Sequence, residues 1–198
     1  MRRNLITAWL LLLFLIMIAL FWYADWRFSR PTPIPADYIP VKNGQYVALP
    51  GTMNKYNQKA VLLHFFNPDC PCSRFNIKTV RALADQYGQS VEFAIVVMSD
   101  KRFTAKEIQD KFDMKVPVLF DRSIAKSCGV YSTPQAVLLD QDHRLYYRGN
   151  YNASRYCVDD ETNYARIALD GMLRNDHRIA FNRLALQAYG CSLPGCRN

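Results

Sequence analysis

Two cysteines one residue apart, Cys70-Pro71-Cys72, stand where an apolar run gives way to a helical pattern. Proline tolerates the first helical position, because its missing N–H would have no partner there. Cys70 therefore falls at the helix N-cap, before unpaired backbone N–H groups and the positive end of the dipole. Such a setting stabilises thiolate, the form that attacks disulfides. Cys72 is near enough to resolve a mixed disulfide on Cys70, closing a small ring whose strain would make it easily reduced. A structural pair and a metal site are the other uses that this spacing admits.

The chain has four further cysteines, Cys128, Cys157, Cys191 and Cys196. Six thiols allow 15 pairings, and spacing alone does not choose among them. Cys128, among apolar neighbours, reads as a core thiol. Cys191 and Cys196 flank Ser-Leu-Pro-Gly in the tail, so a Cys191–Cys196 bridge or a bridge from Cys157 to the tail is expected. Disulfides and thiol exchange both belong to an oxidising compartment.

The elements that must position these residues follow from periodicity. Leu5–Ala24 is 20 residues without a charge, long enough as a helix to span about 30 Å of hydrocarbon. Trp22, Tyr23 and Trp26 lie at its far end, where interfacial aromatics are favoured. Arg2 and Arg3 precede it, which predicts a cytoplasmic N-terminus and an exported remainder, periplasmic in a Gram-negative cell. The bulky run Leu20-Phe21-Trp22-Tyr23 lacks a small-residue cleavage site, so an uncleaved single-pass inner-membrane anchor is expected. Pro31, Pro33, Pro35 and Pro40 then predict a stiff spacer that lifts the domain off the membrane. The resulting division is an anchor at 1–27, a spacer at 28–43, a domain at 44–175 and a cysteine-containing tail at 176–198.

Within the domain, Ala60–Phe66 reads as a strand buried on both faces. A helix with Ile77, Val80, Leu83 and Tyr87 on one side follows, closed by Gly88. Val91–Met98 and Val116–Phe120 read as strands, Thr104–Phe112 and Arg122–Cys128 as short helices. Gln135–Asp140 and Arg144–Arg148 form a hairpin, and Asp160–Arg174 a last helix. The order β-α-β-α-β-α-β-β-α implies an α/β fold, a central mixed sheet flanked by helices, preceded by one transmembrane helix. The net charge of +8 comes from 25 basic and 17 acidic residues. The basic residues are scattered, without runs or interleaved aromatics, so they form a solvated face and no nucleic-acid site.

Leu62-Leu63-His64-Phe65-Phe66-Asn67-Pro68-Asp69-Cys70 resembles the strand and turn before the active site of thioredoxin-like proteins. Cys128–Asp140, containing Ser132-Thr133-Pro134, resembles their cis-proline loop and the strand after it. The 63 residues between Cys70 and Pro134 leave room for an added strand and helix, as in the redoxin branch of TlpA-like and AhpC/TSA-like proteins. The resemblance implies a cis peptide at Pro134 beside Cys70, and backbone hydrogen bonds from Thr133 to a bound substrate chain. His64 falls where thioredoxins keep a buried acid, so it would move protons between the thiols or, on the plainer reading, be a satisfied core histidine. Ser73 departs from the family by replacing the second cysteine of Cys-x-x-Cys, which makes Cys72 the first candidate for resolving thiol. Cys157 and Cys191 stand behind it, Tyr189-Gly190-Cys191 resembling the Gly-Cys segment that returns to the active site in redoxin relatives.

Three activities compete on these residues. The first is a thiol–disulfide reductase or isomerase acting on exported proteins or small-molecule thiols and disulfides, recharged by an electron donor that the sequence does not name. The second is a thiol peroxidase, disfavoured because Asn67 stands where peroxiredoxins carry threonine. The third is a copper carrier, since close thiolates suit Cu(I), although His64, His143 and His177 sit in no matching context. No nucleotide loop or zinc-type spacing occurs, so neither cofactor nor resident metal is expected.

Overall fold

The computed structural model describes residues 2–49, 59–154, 161–176 and 178–193. It begins with α1, Arg2–Ser29. Its segment Arg2–Tyr23 is long and apolar enough to cross a membrane and is wholly exposed to its surroundings.

The domain is built on a five-stranded mixed sheet ordered β3-β2-β1-β5-β6. Its strands are β1, Ala60–Phe66; β2, Val91–Val97; β3, Val118–Leu119; β5, Gln135–Leu139; and β6, Leu145–Gly149. β1 lies at the centre, parallel to β2 and antiparallel to β5. All seven of its residues are buried, which explains a sequence without polar alternation. Successive residues of a strand face opposite sides, and the sheet accordingly splits the interior into two cores. Leu62 and Phe66 join one core with α3, Ile77–Tyr87, and α6, Tyr164–Leu173, through Val80, Leu83, Ala168 and Leu169. Val61, Leu63 and Phe65 join the other with Ile124 and Ala125 of α5, Ser123–Ser127. Between β2 and β3 runs α4, Ala105–Phe112, opened by a capping box of Thr104 with Glu107.

Both ends of the domain are packed onto it. The proline-rich segment lies against the tail and the domain. Pro31 forms a bridge with Tyr189, and the Thr32 N–H donates to the Ala188 carbonyl at 2.8 Å. Tyr38 Oη donates to the Gly129 carbonyl, and Val41 is buried in the second core. An extended segment carries unpaired backbone groups, and here the tail and the domain supply their partners. The tail likewise belongs to the fold. It contains α7, Arg183–Leu186, and β7, Cys191–Ser192, and β7 pairs antiparallel with β4, Ser132–Thr133.

Asn150 fastens the tail. Its buried side chain donates to the Leu184 and Gln187 carbonyls at 2.7 and 2.8 Å, and its N–H donates to the Ala185 carbonyl at 2.8 Å. Asn150→Ala strips two part-buried carbonyls of their donors. It should lower unfolding stability by about 2 kcal/mol, measured as a fall in the urea midpoint at unchanged m-value for the full chain in detergent.

Candidate functional site

The site forms where β1 ends. Phe66 is followed by the turn Asn67-Pro68-Asp69, in which the Cys70 N–H donates to the Asn67 carbonyl at 3.1 Å. Asn67 Oδ1 accepts from the Asp69 N–H at 3.0 Å. α2, Pro71–Phe75, then starts with proline in its first turn and Cys70 as its N-cap. Ser73, fully buried, has its hydroxyl oxygen accept from the Asn67 N–H at 3.2 Å. Its work is therefore to close the turn that presents Cys70. Asn67 is committed to the same turn and stands where a peroxidase would need threonine.

Cys70 is disulfide-bonded to Cys191, 121 residues away, with the Cα atoms 6.5 Å apart. The cysteine bonded to Cys70 is thus Cys191 and not Cys72, the first candidate for resolving thiol. Cys72 lies inside the first turn of α2 and is fully buried, outside the Cys70 disulfide. A residue two positions along a helix is turned to a different side from its predecessor, and Cys70 is itself buried at the start of α2, 3% exposed. The expected Cys191–Cys196 bridge is likewise replaced, because Cys191 is joined to Cys70. Cys157 and Cys196 lie outside the described residues. Cys128 is buried in the second core, where desolvation pushes its thiol up to about 12, so it stays protonated and unreactive.

Thr133-Pro134 is a cis peptide. Thr133, in β4, pairs with Cys191, and Ser132 pairs with Ser192. The backbone edge that the resemblance assigned to a substrate chain is thus taken by the chain's own tail. Ser132, missed in the sequence, is a junction: its hydroxyl lies 2.8 Å from Thr32 Oγ1 and donates to the Cys191 carbonyl at 3.2 Å. Gly190, with φ +124°, comes so close to this loop that an added Cβ would lie 2.3 Å from the Thr133 carbonyl oxygen. The Gly-Cys pair in the sequence was the signal for this approach.

His64 lies on the face of β1 shared by Leu62 and Phe66. Its Nδ1 is 2.9 Å from Tyr151 Oη, a partner that sequence reasoning missed, and Nε2 has no hydrogen-bond partner among the described residues. Burial lowers its pKa from 6.5 to about 3, so the ring is neutral at physiological pH. On the rim, Asp69 is bridged by Lys101 Nζ at 3.1 Å, and Arg122 holds Asp100 and the Ser99 carbonyl. Among the described residues no group of three or more His, Cys, Asp or Glu side chains is placed to hold a metal ion.

The family of a domain of unknown function, DUF6436, matches residues 41–193. The chain belongs to the DUF6436 family. No curated protein is similar enough to the chain to match. Among solved structures, a hypothetical protein of Sinorhizobium meliloti 1021 is similar at TM-score 0.64 and 21% identity, covering 79% of this chain and 96% of that one. An uncharacterized conserved protein of Geobacillus kaustophilus is similar at 0.65 and 20%, covering 83% and 97%. A Chlorobium tepidum protein named as thiol:disulfide interchange protein DsbE is similar at 0.56 and 15%, covering 68% and 99%. The DUF6436 domain of this chain has a thioredoxin-like fold, as the resemblance implied.

The histidine gives a pH signature. The unfolded chain binds a proton at His64 below pH 6.5, whereas the folded chain does not until about pH 3. Between these values the unfolded state holds more protons, so His64 makes stability fall by about 1.4 kcal/mol per unit as pH drops. His64→Gln removes that proton difference. Urea unfolding from pH 4 to 6 should show a slope about 1.4 kcal/mol per unit shallower for the variant, and equal slopes would refute a buried neutral ring.

Proposed function

We propose that this chain is a membrane-tethered thiol–disulfide oxidoreductase of the reductase or isomerase type, with Cys70 as nucleophile. The observation that carries this reading is the Cys70–Cys191 disulfide at the end of β1, beside the cis Thr133-Pro134 bond. The apolar α1 supports tethering, and the basic residues before it support an N-terminus left in the cytoplasm and a domain exported to an oxidising compartment. The partners fitting this chemistry are exported proteins or small-molecule thiols and disulfides, with a dithiol as electron donor.

The cycle balances with the groups present. Cys70 thiolate attacks one sulfur of a substrate disulfide, forming a mixed disulfide and releasing the other sulfur as thiolate. Cys191 thiolate then attacks Cys70 Sγ, forming the Cys70–Cys191 disulfide and releasing the second substrate thiol. The substrate has gained two electrons and two protons, and a dithiol donor returns Cys70 and Cys191 to thiols while becoming a disulfide itself. A partner cysteine within the chain supports the reductase arm, because net electron transfer needs somewhere for the oxidising equivalents to rest.

Without Cys191 the second step is blocked. Cys191→Ser should therefore accumulate mixed disulfides between Cys70 and exported proteins, seen as bands on non-reducing gels that collapse on reduction. The double variant with Cys70→Ser should show none. Equal trapping by Cys72→Ser, with none by Cys191→Ser, would return the resolving role to Cys72.

A further inference from the structure

We infer that the face made by α7 and the segment after α1 is a lipid-binding surface, seated on the headgroups of the membrane that α1 enters, with Ile34, Leu184 and Leu186 dipped among them. The inference rests on the tethering proposed above and adds the surface by which the domain itself meets the bilayer.

Chain length is the first constraint. α1 continues past Tyr23, the end of its apolar segment, to Ser29, a rise of about 9 Å. From Ser29 the chain can travel at most about 11 Å to Thr32. Thr32 already belongs to the domain, with its N–H on the Ala188 carbonyl and its hydroxyl 2.8 Å from that of Ser132. Pro31 before it is bridged to Tyr189. This end of the domain therefore lies within about 20 Å of the hydrocarbon, and headgroups fill roughly the first 5–8 Å of that gap. Tilting of α1, usual for such helices, shortens it further.

The chemistry of the face is the second observation. Ile34 is 65% exposed, Leu184 57% and Leu186 49%. The two leucines flank Ala185, the buried residue of α7, and all three aliphatic side chains lie a few residues from the Pro31–Tyr189 bridge. Large apolar side chains gathered in the open mark a binding face. Charge is the third. Arg30 lies over the Trp26 ring at 4.7 Å, and Arg183 opens α7. Tryptophan beside a cation suits the membrane interface. Neither Asp nor Glu occurs between Asp25 and Asp37, or anywhere after Asp176, so anionic headgroups would meet cations without repulsion. α1 leaves the domain from this same face, which makes the bilayer its nearest partner. Ser132 joins Thr32 to the Cys191 carbonyl, so seating the face would also fix the height of the Cys70–Cys191 pair above the membrane.

The test uses the full chain, methyl-labelled, in lipid nanodiscs of phosphatidylcholine and phosphatidylglycerol doped with a lipid whose headgroup chelates gadolinium. Leu173 is the internal control, exposed but sharing a cleft with Ala60 at the far end of β1. The Ile34, Leu184 and Leu186 methyls should be relaxed about tenfold more strongly than those of Leu173, because interfacial side chains sit ~5–10 Å into the headgroup boundary. Leu184→Glu with Leu186→Glu, both at exposed positions, should cut the relaxation of Ile34 severalfold. Replacing phosphatidylglycerol by phosphatidylcholine should weaken it as well, and indifference to lipid charge overturns the pairing with anionic headgroups. Relaxation of Ile34 and Leu186 no stronger than that of Leu173 overturns the inference. Flotation with vesicles after a carbonate wash reads the tether separately: a chain that floats but shows no such difference loses only the lipid face, whereas a chain that does not float sinks the tethering itself.

Discussion

Phe65 of β1 pairs with Gln135 of β5 in antiparallel register, and the geometry of the site follows from that pairing. Antiparallel strands bring the end of one beside the start of the other, so the turn leading to Cys70 and the Thr133-Pro134 bond must share one end of the sheet. The register is protected because β1 is buried on both faces. A slip by one residue would drive Leu62 and Phe66 into the wrong core and His64 out of reach of Tyr151. The sheet thus acts as the ruler that sets Cys70 and the cis-proline loop side by side, although they lie 63 residues apart in the chain.

The two ends of the chain meet at the same place. Thr32, which follows α1, and Ser132, which precedes the cis bond, share a hydroxyl contact. Ser132 also holds the tail through the Cys191 carbonyl, and Thr32 holds it through the Ala188 carbonyl. The segment that follows α1, the cis-proline loop and the tail are therefore one hydrogen-bonded cluster.

Where local pattern decides structure, the sequence was readable. β1 and α3 fall at the residues that their apolar periodicity marks, and a short helix follows Thr104 as expected. Cys70 at an N-cap follows from Pro71 alone. What periodicity could not deliver were pairings without a repeat to announce them. β4 and β7 are two residues each, too short for any alternation to register. The spacer's prolines indicate an extended backbone correctly but are silent on which edge that backbone will meet. Cys72 drew attention through its nearness in sequence, whereas the bond is decided by which way the first helical turn points its side chains. Tyr151 lies beyond the last strand of the main sheet in an irregular stretch, and only the folded chain brings its hydroxyl to His64.

The long separation of Cys70 and Cys191 has a thermodynamic consequence that a pair one residue apart would lack. Every contact that seats β7 on β4 also raises the local concentration of Cys191 at Cys70, and so favours the disulfide by the same free energy. By linkage, each ~1.4 kcal/mol of seating lowers the reduction potential of the pair by about 30 mV. Ser132, Thr32 and Gly190 touch no electron themselves, yet they set how strongly the pair holds its oxidised state. A Cys70–Cys72 ring would have had its potential fixed by local geometry. The tail instead makes that potential depend on folding contacts, and through Thr32 on the segment that leads to α1.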